Sequence, residues 1–234
     1  SSPTLTSIAP ILSGELTPVT LDPSRGMILE QLAHQPTLFE RFQTAGIVGK
    51  IIVGLLVIGL LIALVRGTAL MKVRHQIKGQ LKTPESPGNN PLGRVLSVYI
   101  KDKDRTVEAL ELRLLEAVVD EQSELEKGLS MLKLFAALAP MLGLLGTVTG
   151  MIETFQVITQ FGNGDPKIMA DGISMALVTT VLGLITAMPI LLAHNILSSQ
   201  AETIRTILEK QGIALVAEQA ESARSTSKTM EHAA

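Results

Sequence analysis

The sequence predicts an all-α membrane protein with three transmembrane helices and long cytoplasmic helical extensions. Of its 234 residues, 46% are hydrophobic and only 18% are charged, a balance that is too apolar for an ordinary soluble domain. Three apolar stretches each reach the roughly 20 residues that a helix needs to cross a bilayer. Outside these stretches, leucines recur at helical spacing among charged residues.

The first 44 residues precede the first apolar stretch. Residues 1–21 are rich in Ser, Thr and Pro, which is typical of an extended lead-in. Residues 23–43 have the spacing of a short amphipathic helix that breaks near Pro36. We therefore predict that residues 1–44 form a lead-in and an amphipathic helix on the outer, periplasmic surface.

The three predicted spans are residues 45–65, 134–158 and 172–194. The first contains one charge, Lys50, which lies close enough to the end of the span to snorkel. The second begins with 19 residues that carry no charge, and the third has no formal charge before Glu202. Internal Gly and Pro do not argue against helices here, because membrane helices tolerate both.

The basic residues predict the orientation of the spans. Five of them crowd the exit of the first span, and the positive-inside rule assigns that side to the cytoplasm. The turn-rich connection at 159–171 is then periplasmic, and Arg205 and Lys210 follow the third span on the inner side. The N-terminus is predicted to be periplasmic and the C-terminus cytoplasmic. The five basic residues are Arg66, Lys72, Arg74, Lys78 and Lys82.

The cytoplasmic segments are residues 66–133, with a loop at 83–93, and residues 195–234. Because no helix breaker separates the leucine-rich stretch from the second span, we predict one continuous helix over 103–160. Helical periodicity continues after the third span to about Ala220. The polar tail at 222–234 is predicted to be disordered.

Small and polar residues form one stripe on each of the last two spans. Residues three and four apart share a helix face, so these stripes offer two faces, one for a neighbouring subunit and one for a lumen. Close helix packing explains small residues equally well, since they let membrane helices approach. Both can hold: the glycines pack the helices together, while Thr147 and Thr180 are predicted to be polar pore-lining residues that face the lumen. The two stripes are Pro140, Gly143, Thr147, Gly150 and Thr154, and Gly172, Ala176, Thr180, Gly183 and Ala187.

Enzyme chemistry is not expected. The chain has no cysteine, no His, Asp and Glu cluster with metal-ligand spacing, and no glycine-rich phosphate loop after a strand. We predict no catalytic residue, cofactor or metal. Its net charge of −2 argues against nucleic-acid binding. Isolated ionisable groups have simpler roles: an interfacial or inter-subunit contact for Glu153, snorkelling for Lys133, and a helix-end or headgroup contact for His194.

Residues 103–133 hold eight acidic and five basic side chains. Several copies of this segment would form an acidic vestibule that concentrates cations, with Glu108, Glu111 and Glu116 as its main contributors. An ordinary solvated helix surface is the alternative.

The last two spans also carry a resemblance. "LAPMLGLLGTVTGMIETF" and "GDPKIMADGISMALVTTVLGLITAMP" closely resemble the proton-channel family of ExbB, TolQ and MotA, over about residues 103–220. Three spans with a long cytoplasmic helix are similar to ExbB and TolQ, whereas MotA has four spans. The outer segment is similar to TtpC, a longer ExbB-like protein of some TonB systems.

The resemblance implies a pentameric ring in the bacterial inner membrane. The ring would surround ExbD-type single-span helices that carry the proton-binding carboxylate, and a TonB-type protein would transmit the motion to outer-membrane receptors. The partners so implied are ExbD-type and TonB-type proteins, further copies of this chain, and lipid. The pore threonines of the family carry over to Thr147 and Thr180. One position departs from the family, because many ExbB proteins have a glutamate where "GISMAL" has Met175.

Three functions follow as expectations. The first is a motor subunit that energises TonB-dependent outer-membrane transport. The second is a non-conducting, TtpC-like adaptor of an ExbB–ExbD–TonB complex, which Met175 and the outer segment favour. The third is a flagellar stator subunit, which the number of spans disfavours.

Overall fold

The computed structural model describes the backbone of residues 46–162 and 166–233, and the side chains of these ranges except at 161, 168 and 226–233. The predicted lead-in and amphipathic helix of residues 1–44 lie outside the described residues. All secondary structure that is described is helical, which confirms the all-α class for this part of the chain. The helices are Gly46–Gln80 (α1), Pro91–Lys101 (α2), Val107–Glu126 (α3), Leu129–Phe161 (α4) and Pro166–Ala233 (α5).

Three of the five helices, α1, α4 and α5, are long and apolar enough to cross a membrane, as predicted. α1 has 35 residues and no proline, which corresponds to a length of about 52 Å. α4 and α5 contain Pro140 and Pro189 in their interiors and remain helical. The missing N–H groups of these prolines are tolerated, as is usual in membrane helices.

Two shorter helices lie outside the apolar stretches, and local signals define their starts. The Asn90 side chain accepts a hydrogen bond from the Gly93 N–H at 2.8 Å, and Pro91 occupies the first turn of α2. The Thr106 side chain caps α3 in the same way through the Ala109 N–H at 3.3 Å. The loop therefore ends at Asn90, and the predicted loop at 83–93 includes the first residues of α2.

The predicted continuous helix over 103–160 is wrong. Residues 102–106 form a turn before α3, and α3 ends at Glu126. Gly128 then adopts a left-handed conformation with φ of 80°, which ends a helix at little cost only when the residue is glycine. We call residues 127–128 the elbow, because they join the extramembrane helix α3 to the membrane helix α4.

The structure also differs from the sequence prediction at both ends of α5. The helix begins at Pro166, so the connection between the last two spans is shorter than the predicted turn at 159–171. At the other end the backbone is helical to Ala233, whereas residues 222–234 were predicted to be disordered. No proline follows Pro189 and no glycine follows Gly212, so nothing in this segment ends the helix.

A hydrophobic core joins those parts of α1, α2, α3 and α5 that the sequence predicts to lie outside the membrane. We call residues 66–133 and 195–225 the extramembrane region. Each of the four helices contributes fully buried aliphatic side chains, and α5 contacts each of the other three. The core includes Leu70 and Ile77 of α1, Leu92 and Val95 of α2, Leu110 and Leu114 of α3, and Ile204 and Leu208 of α5.

Candidate functional site

The two membrane helices α4 and α5 approach each other so closely that their backbones are in contact. A Cβ atom added to Gly143 would lie 2.9 Å from the Thr179 carbonyl oxygen and 3.3 Å from the Gly183 Cα. A Cβ atom added to Gly183 would lie 2.5 Å from the Ala139 carbonyl oxygen. Neither position leaves room for a side chain, so these two glycines set the distance between the helices.

The same contact continues along the pair towards the α4–α5 connection. The Cβ atom of Ala176 would lie 2.9 Å from a Cβ atom added to Gly150. One turn further, Gly172 lies against the Thr154 side chain, and the Thr154 hydroxyl donates to its own helix at Gly150 over 2.8 Å. The stripe from Gly143 to Thr154 on α4 therefore faces the stripe from Gly172 to Gly183 on α5.

This arrangement corrects the expectation that the two stripes occupy two separate faces. Within one chain the stripes pack against each other and form a single interface. The physical reason is that small side chains on both helices allow the closest approach when they face each other. The face that remains outward on each helix is formed by large apolar side chains, such as Met141 and Leu144 on α4 and Leu177 and Leu184 on α5.

A cluster of hydroxyl groups lies at the centre of the interface. The Thr147 and Thr180 side-chain oxygens share a hydrogen bond. The Thr147 oxygen also lies 3.0 Å from the Ala176 carbonyl, and the Thr180 oxygen lies 3.3 Å from the Gly143 carbonyl. Both threonines are half-buried, so each can exchange its partner for another polar group that reaches this level of the membrane.

Thr179 is a further member of this cluster, and helical spacing alone does not reveal it. Thr179 is only 4% exposed, and its hydroxyl lies 2.7 Å from the Ala176 carbonyl and 3.2 Å from the Gly143 carbonyl. Gly146 leaves the space that the Thr179 side chain fills. The threonine pair at 179–180 is visible in the sequence, but helical spacing assigned only Thr180 to the stripe.

The cluster contains hydroxyl and carbonyl groups but no titratable group. Asp, Glu, Lys and Arg are absent between Lys133 and Glu153 on α4 and between Asp171 and Glu202 on α5. Hydroxyls can donate and accept hydrogen bonds, whereas a proton carrier needs an ionisable side chain. The arrangement can therefore solvate a charge or a proton that another group brings, and this chain does not supply that group at this level.

Glu153 and Met175 both lie away from the threonine cluster. Both side chains are exposed on the surface of the described chain, Met175 to 41%. Neither makes a hydrogen bond to the cluster. Lys50 on α1 is likewise exposed.

The elbow is held from both sides by side chains of other helices. Arg66 of α1 donates from Nη2 to the carbonyls of Glu124 and Leu125 at 2.8 and 2.9 Å, which lack partners at the end of α3. His194 of α5 lies with Nδ1 3.0 Å from the Leu129 carbonyl, in the first turn of α4. A cavity of about 890 Å³ opens beside the elbow, and Lys133 lines it together with His194.

The three glutamates of the predicted vestibule, Glu108, Glu111 and Glu116, are exposed on α3. Glu116 pairs with Arg113 at 2.9 Å. On the buried side of α3, Glu121 forms a bidentate pair with Arg94 of α2, with Nη2 to Oε2 at 2.6 Å. The hydrogen bond to Glu121 raises the pKa of Arg94 above its usual value, so this pair ties α2 to α3.

Comparison with known proteins agrees with this architecture. Residues 88–210 match the model of the MotA/TolQ/ExbB proton channel family, which is more than half of the chain. The chain is 29% identical over 182 residues to a protein of Methanothermobacter thermautotrophicus described as a biopolymer transport protein ExbB homologue, an alignment that covers 71% of this chain and 64% of that protein. It is 27% identical over 208 residues to the biopolymer transport protein ExbB of Pseudomonas putida, covering 76% and 63% of the two chains.

A shorter and more similar alignment is found with the biopolymer transport protein exbB1 of Vibrio cholerae, at 37% identity over 91 residues, which are 38% of this chain and 40% of that protein. The chain thus spans between 40 and 64% of the length of these relatives. The three apolar helices, the close α4–α5 pair and the extent of the family match lead to one conclusion. This chain is a multi-pass membrane protein of the MotA/TolQ/ExbB proton channel family.

Proposed function

We propose that this chain is an ExbB-type subunit of a proton-driven motor that energises TonB-dependent transport across the outer membrane. Several copies, five by family resemblance, form a ring in a bacterial inner membrane around ExbD-type helices. The N-terminus is periplasmic and the C-terminus cytoplasmic. A TonB-type protein receives the motion and passes it to outer-membrane receptors.

The observation that carries this proposal is a half-buried hydroxyl pair, Thr147 and Thr180, in a membrane region without a charged side chain. A carboxylate on a partner helix is expensive in the membrane unless polar groups receive it. The threonine hydroxyls provide such groups when they exchange their mutual hydrogen bond for one to the carboxylate. One charge that crosses 100 mV releases about 2.3 kcal/mol, which provides the driving force.

The test compares Thr180→Val with Thr149→Val in cells that depend on this system for iron-siderophore uptake. Thr149 is an exposed threonine on α4 whose hydroxyl bonds only to its own helix, 3.0 Å from Leu145 and 3.1 Å from Gly146. We expect Thr180→Val to abolish uptake while the complex with the ExbD-type partner stays intact, and Thr149→Val to leave uptake near normal. Normal uptake by an intact Thr180→Val complex would contradict the proposed role of the hydroxyl pair.

A second candidate is a non-conducting, TtpC-like adaptor that docks onto a conducting ExbB–ExbD–TonB complex. Met175, which replaces the glutamate of many ExbB sequences, favours it. If the chain is a motor subunit, the side chain at position 175 contributes only to packing. A complex with Met175→Glu should then assemble less well and conduct no more protons than the parent complex. Proton flux into liposomes that hold the variant and its partner decides between them. A flux clearly above that of the parent complex would favour the adaptor.

A flagellar stator function has less support, because the family members that act as stators have four spans.

A further inference from the structure

The extramembrane part of α3 has a second apolar face that no part of the described chain covers. Leu112, Leu115 and Val119 are 68, 56 and 54% exposed. They lie on one side of the helix, well away from the buried row of Leu110 and Leu114. In water an amphipathic helix needs only one apolar face, so the second indicates a contact with another molecule.

This second face is acidic at its edge and adjoins a groove. Glu108 and Glu111 occupy the same side of α3, and neither has an ion-pair partner among the described residues. Between α3 and α5 lies a groove of about 460 Å³, which is lined by Leu115 from α3 and by Ile213, 70% exposed, from α5. We call this surface the acidic face; it consists of Glu108, Glu111, Leu112, Leu115, Val119 and Ile213.

The end of α1 presents the complementary surface. Arg74 and Lys78 lie one turn apart on α1, Lys82 follows in the turn after Gln80, and all three are exposed. They form one basic surface at the end of α1. Met71 and Leu81, 70 and 42% exposed, lie on the same side. We call these five residues the basic face. Residues 66–82 contain five basic residues and no Asp or Glu.

The two faces of one chain cannot meet each other. Beyond the contact of Arg66 with the end of α3, α2 and α5 lie between α1 and α3, and each of these two helices packs against both. Arg74 approaches α5 at Gln200 over 3.3 Å, whereas the groove lies where α5 meets α3. A basic face and an acidic face at two edges of one subunit are the arrangement that head-to-tail association requires.

The two faces also lie at the same distance from the membrane. Arg66 donates hydrogen bonds to the carbonyls of Glu124 and Leu125, so these residues of α1 and α3 lie at about the same distance from the membrane. From there α1 runs 12 residues to Lys78 and α3 runs 14 residues back from Leu125 to Glu111, which corresponds to about 18 and 21 Å. Copies that share one membrane plane therefore bring the basic face of one to the level of the acidic face of the next.

We infer that the acidic face binds the basic face of a second copy of this chain, and that this contact joins neighbouring subunits outside the membrane. The inference rests on the ring in the proposed function and assigns the surfaces that close it. The apolar side chains within both faces exclude water, and the opposite charges select the orientation.

Disulfide cross-linking tests this inference directly, because the chain has no cysteine of its own. Two differently tagged full-length copies are expressed together in the membrane, one with Lys78→Cys and the other with Leu115→Cys, and then oxidised. We expect a product that carries both tags. The control is Ile100→Cys in place of Lys78→Cys, at a position that is 53% exposed on α2 and outside both faces, and it should give no product.

Charge reversal provides the second measurement. Lys78→Glu with Lys82→Glu should lower the association constant between copies about tenfold, since two exposed attractions become repulsions. Glu108→Lys with Glu111→Lys in the same chain should restore assembly. If the first pair of substitutions only misfolded the chain, the second pair would not restore assembly. Restored assembly therefore indicates a contact between copies and not a structural defect.

Four results would overturn the inference. The first is cross-linking of Leu115→Cys copies to each other, which indicates a symmetric contact through the acidic face. The second is a Leu115→Cys product whose mass shows a different protein. The third is an oligomer of normal mass without the Lys78→Cys to Leu115→Cys product, which leaves the ring of the proposed function standing and rejects only this contact. A monomer by mass would reject both.

Discussion

The closest backbone contact of the α4–α5 interface gives the most direct test of the structure. Gly183→Ala adds one methyl group 2.5 Å from the Ala139 carbonyl oxygen and 3.1 Å from the Gly143 Cα. Both neighbours are backbone atoms and cannot rotate away. Since ordinary van der Waals contact begins near 3.5 Å, the two helices have to separate by roughly 1 Å.

The energetic cost has two parts. Forcing a methyl group into a packed interface costs about 1–3 kcal/mol. Separation also lengthens the hydrogen bond between Thr147 and Thr180 and the 3.3 Å contact of Thr180 with the Gly143 carbonyl. Interhelical bonds of this kind contribute about 0.6 kcal/mol each in membranes. The higher helix propensity of alanine offsets less than about 1 kcal/mol, so we expect a net loss of about 1–3 kcal/mol.

The assay is unfolding of the purified protein from mild detergent micelles by added dodecyl sulfate, followed by far-ultraviolet circular dichroism. Circular dichroism is used in place of tryptophan fluorescence, because the chain has no tryptophan. The matched control is Gly54→Ala in the membrane helix α1, where an added Cβ meets nothing within 4 Å. We expect Gly54→Ala to be neutral or slightly stabilising. An unfolding midpoint of Gly183→Ala equal to that of Gly54→Ala would refute the backbone contact.

Three further predictions concern the extramembrane region. Arg66→Lys replaces the guanidinium group that bonds two carbonyls with a single ammonium group. We expect faster amide hydrogen exchange over residues 122–130. Unchanged exchange there would show that the Arg66 hydrogen bonds do not stabilise the elbow. Gly93→Ala should destabilise the protein by about 1–3 kcal/mol, because its methyl group overlaps the Gly88 carbonyl, whereas Gly79→Ala, with open space around it, should not; equal midpoints in chemical denaturation would contradict this contact. Burial and the nearby Glu218 raise the pKa of Tyr99, so the folded state holds this proton more tightly than the unfolded state. The stability that the protonated Tyr99 contributes to the folded state is therefore complete below the usual tyrosine pKa of about 10. It is lost as the pH rises through the pKa of Tyr99 in the folded state. Absorbance titration of this single tyrosine should give a midpoint above 10, and a midpoint at or below 10 would contradict it.

The sequence alone determined the features that depend on local composition. A stretch of about 20 apolar residues is long enough to cross a bilayer whatever surrounds it, so the three long apolar helices were predictable. The spacing of Gly143, Thr147 and Gly150 on α4, and of Ala176, Thr180 and Gly183 on α5, follows from the helical repeat alone. The resemblance in these two segments also predicted the family.

Only the tertiary structure decided which surfaces meet. Helical spacing shows that a stripe exists but not what it faces, and the structure shows that the two stripes of one chain face each other. Thr179 is buried because Gly146 on the other helix leaves space for it, a relation between residues 33 positions apart in the chain.

The break at the elbow is a second feature that sequence reasoning missed. A lone Gly128 in a helical pattern is tolerated in many helices. Here it adopts positive φ, and Arg66 of α1 and His194 of α5 supply partners for the carbonyls on either side of the break. Those partners are distant in sequence, so the pattern around Gly128 contains no sign of them. Composition therefore determined which segments are long and apolar enough to cross the membrane, and long-range hydrogen bonds and close packing decided where the helices end and which faces remain exposed.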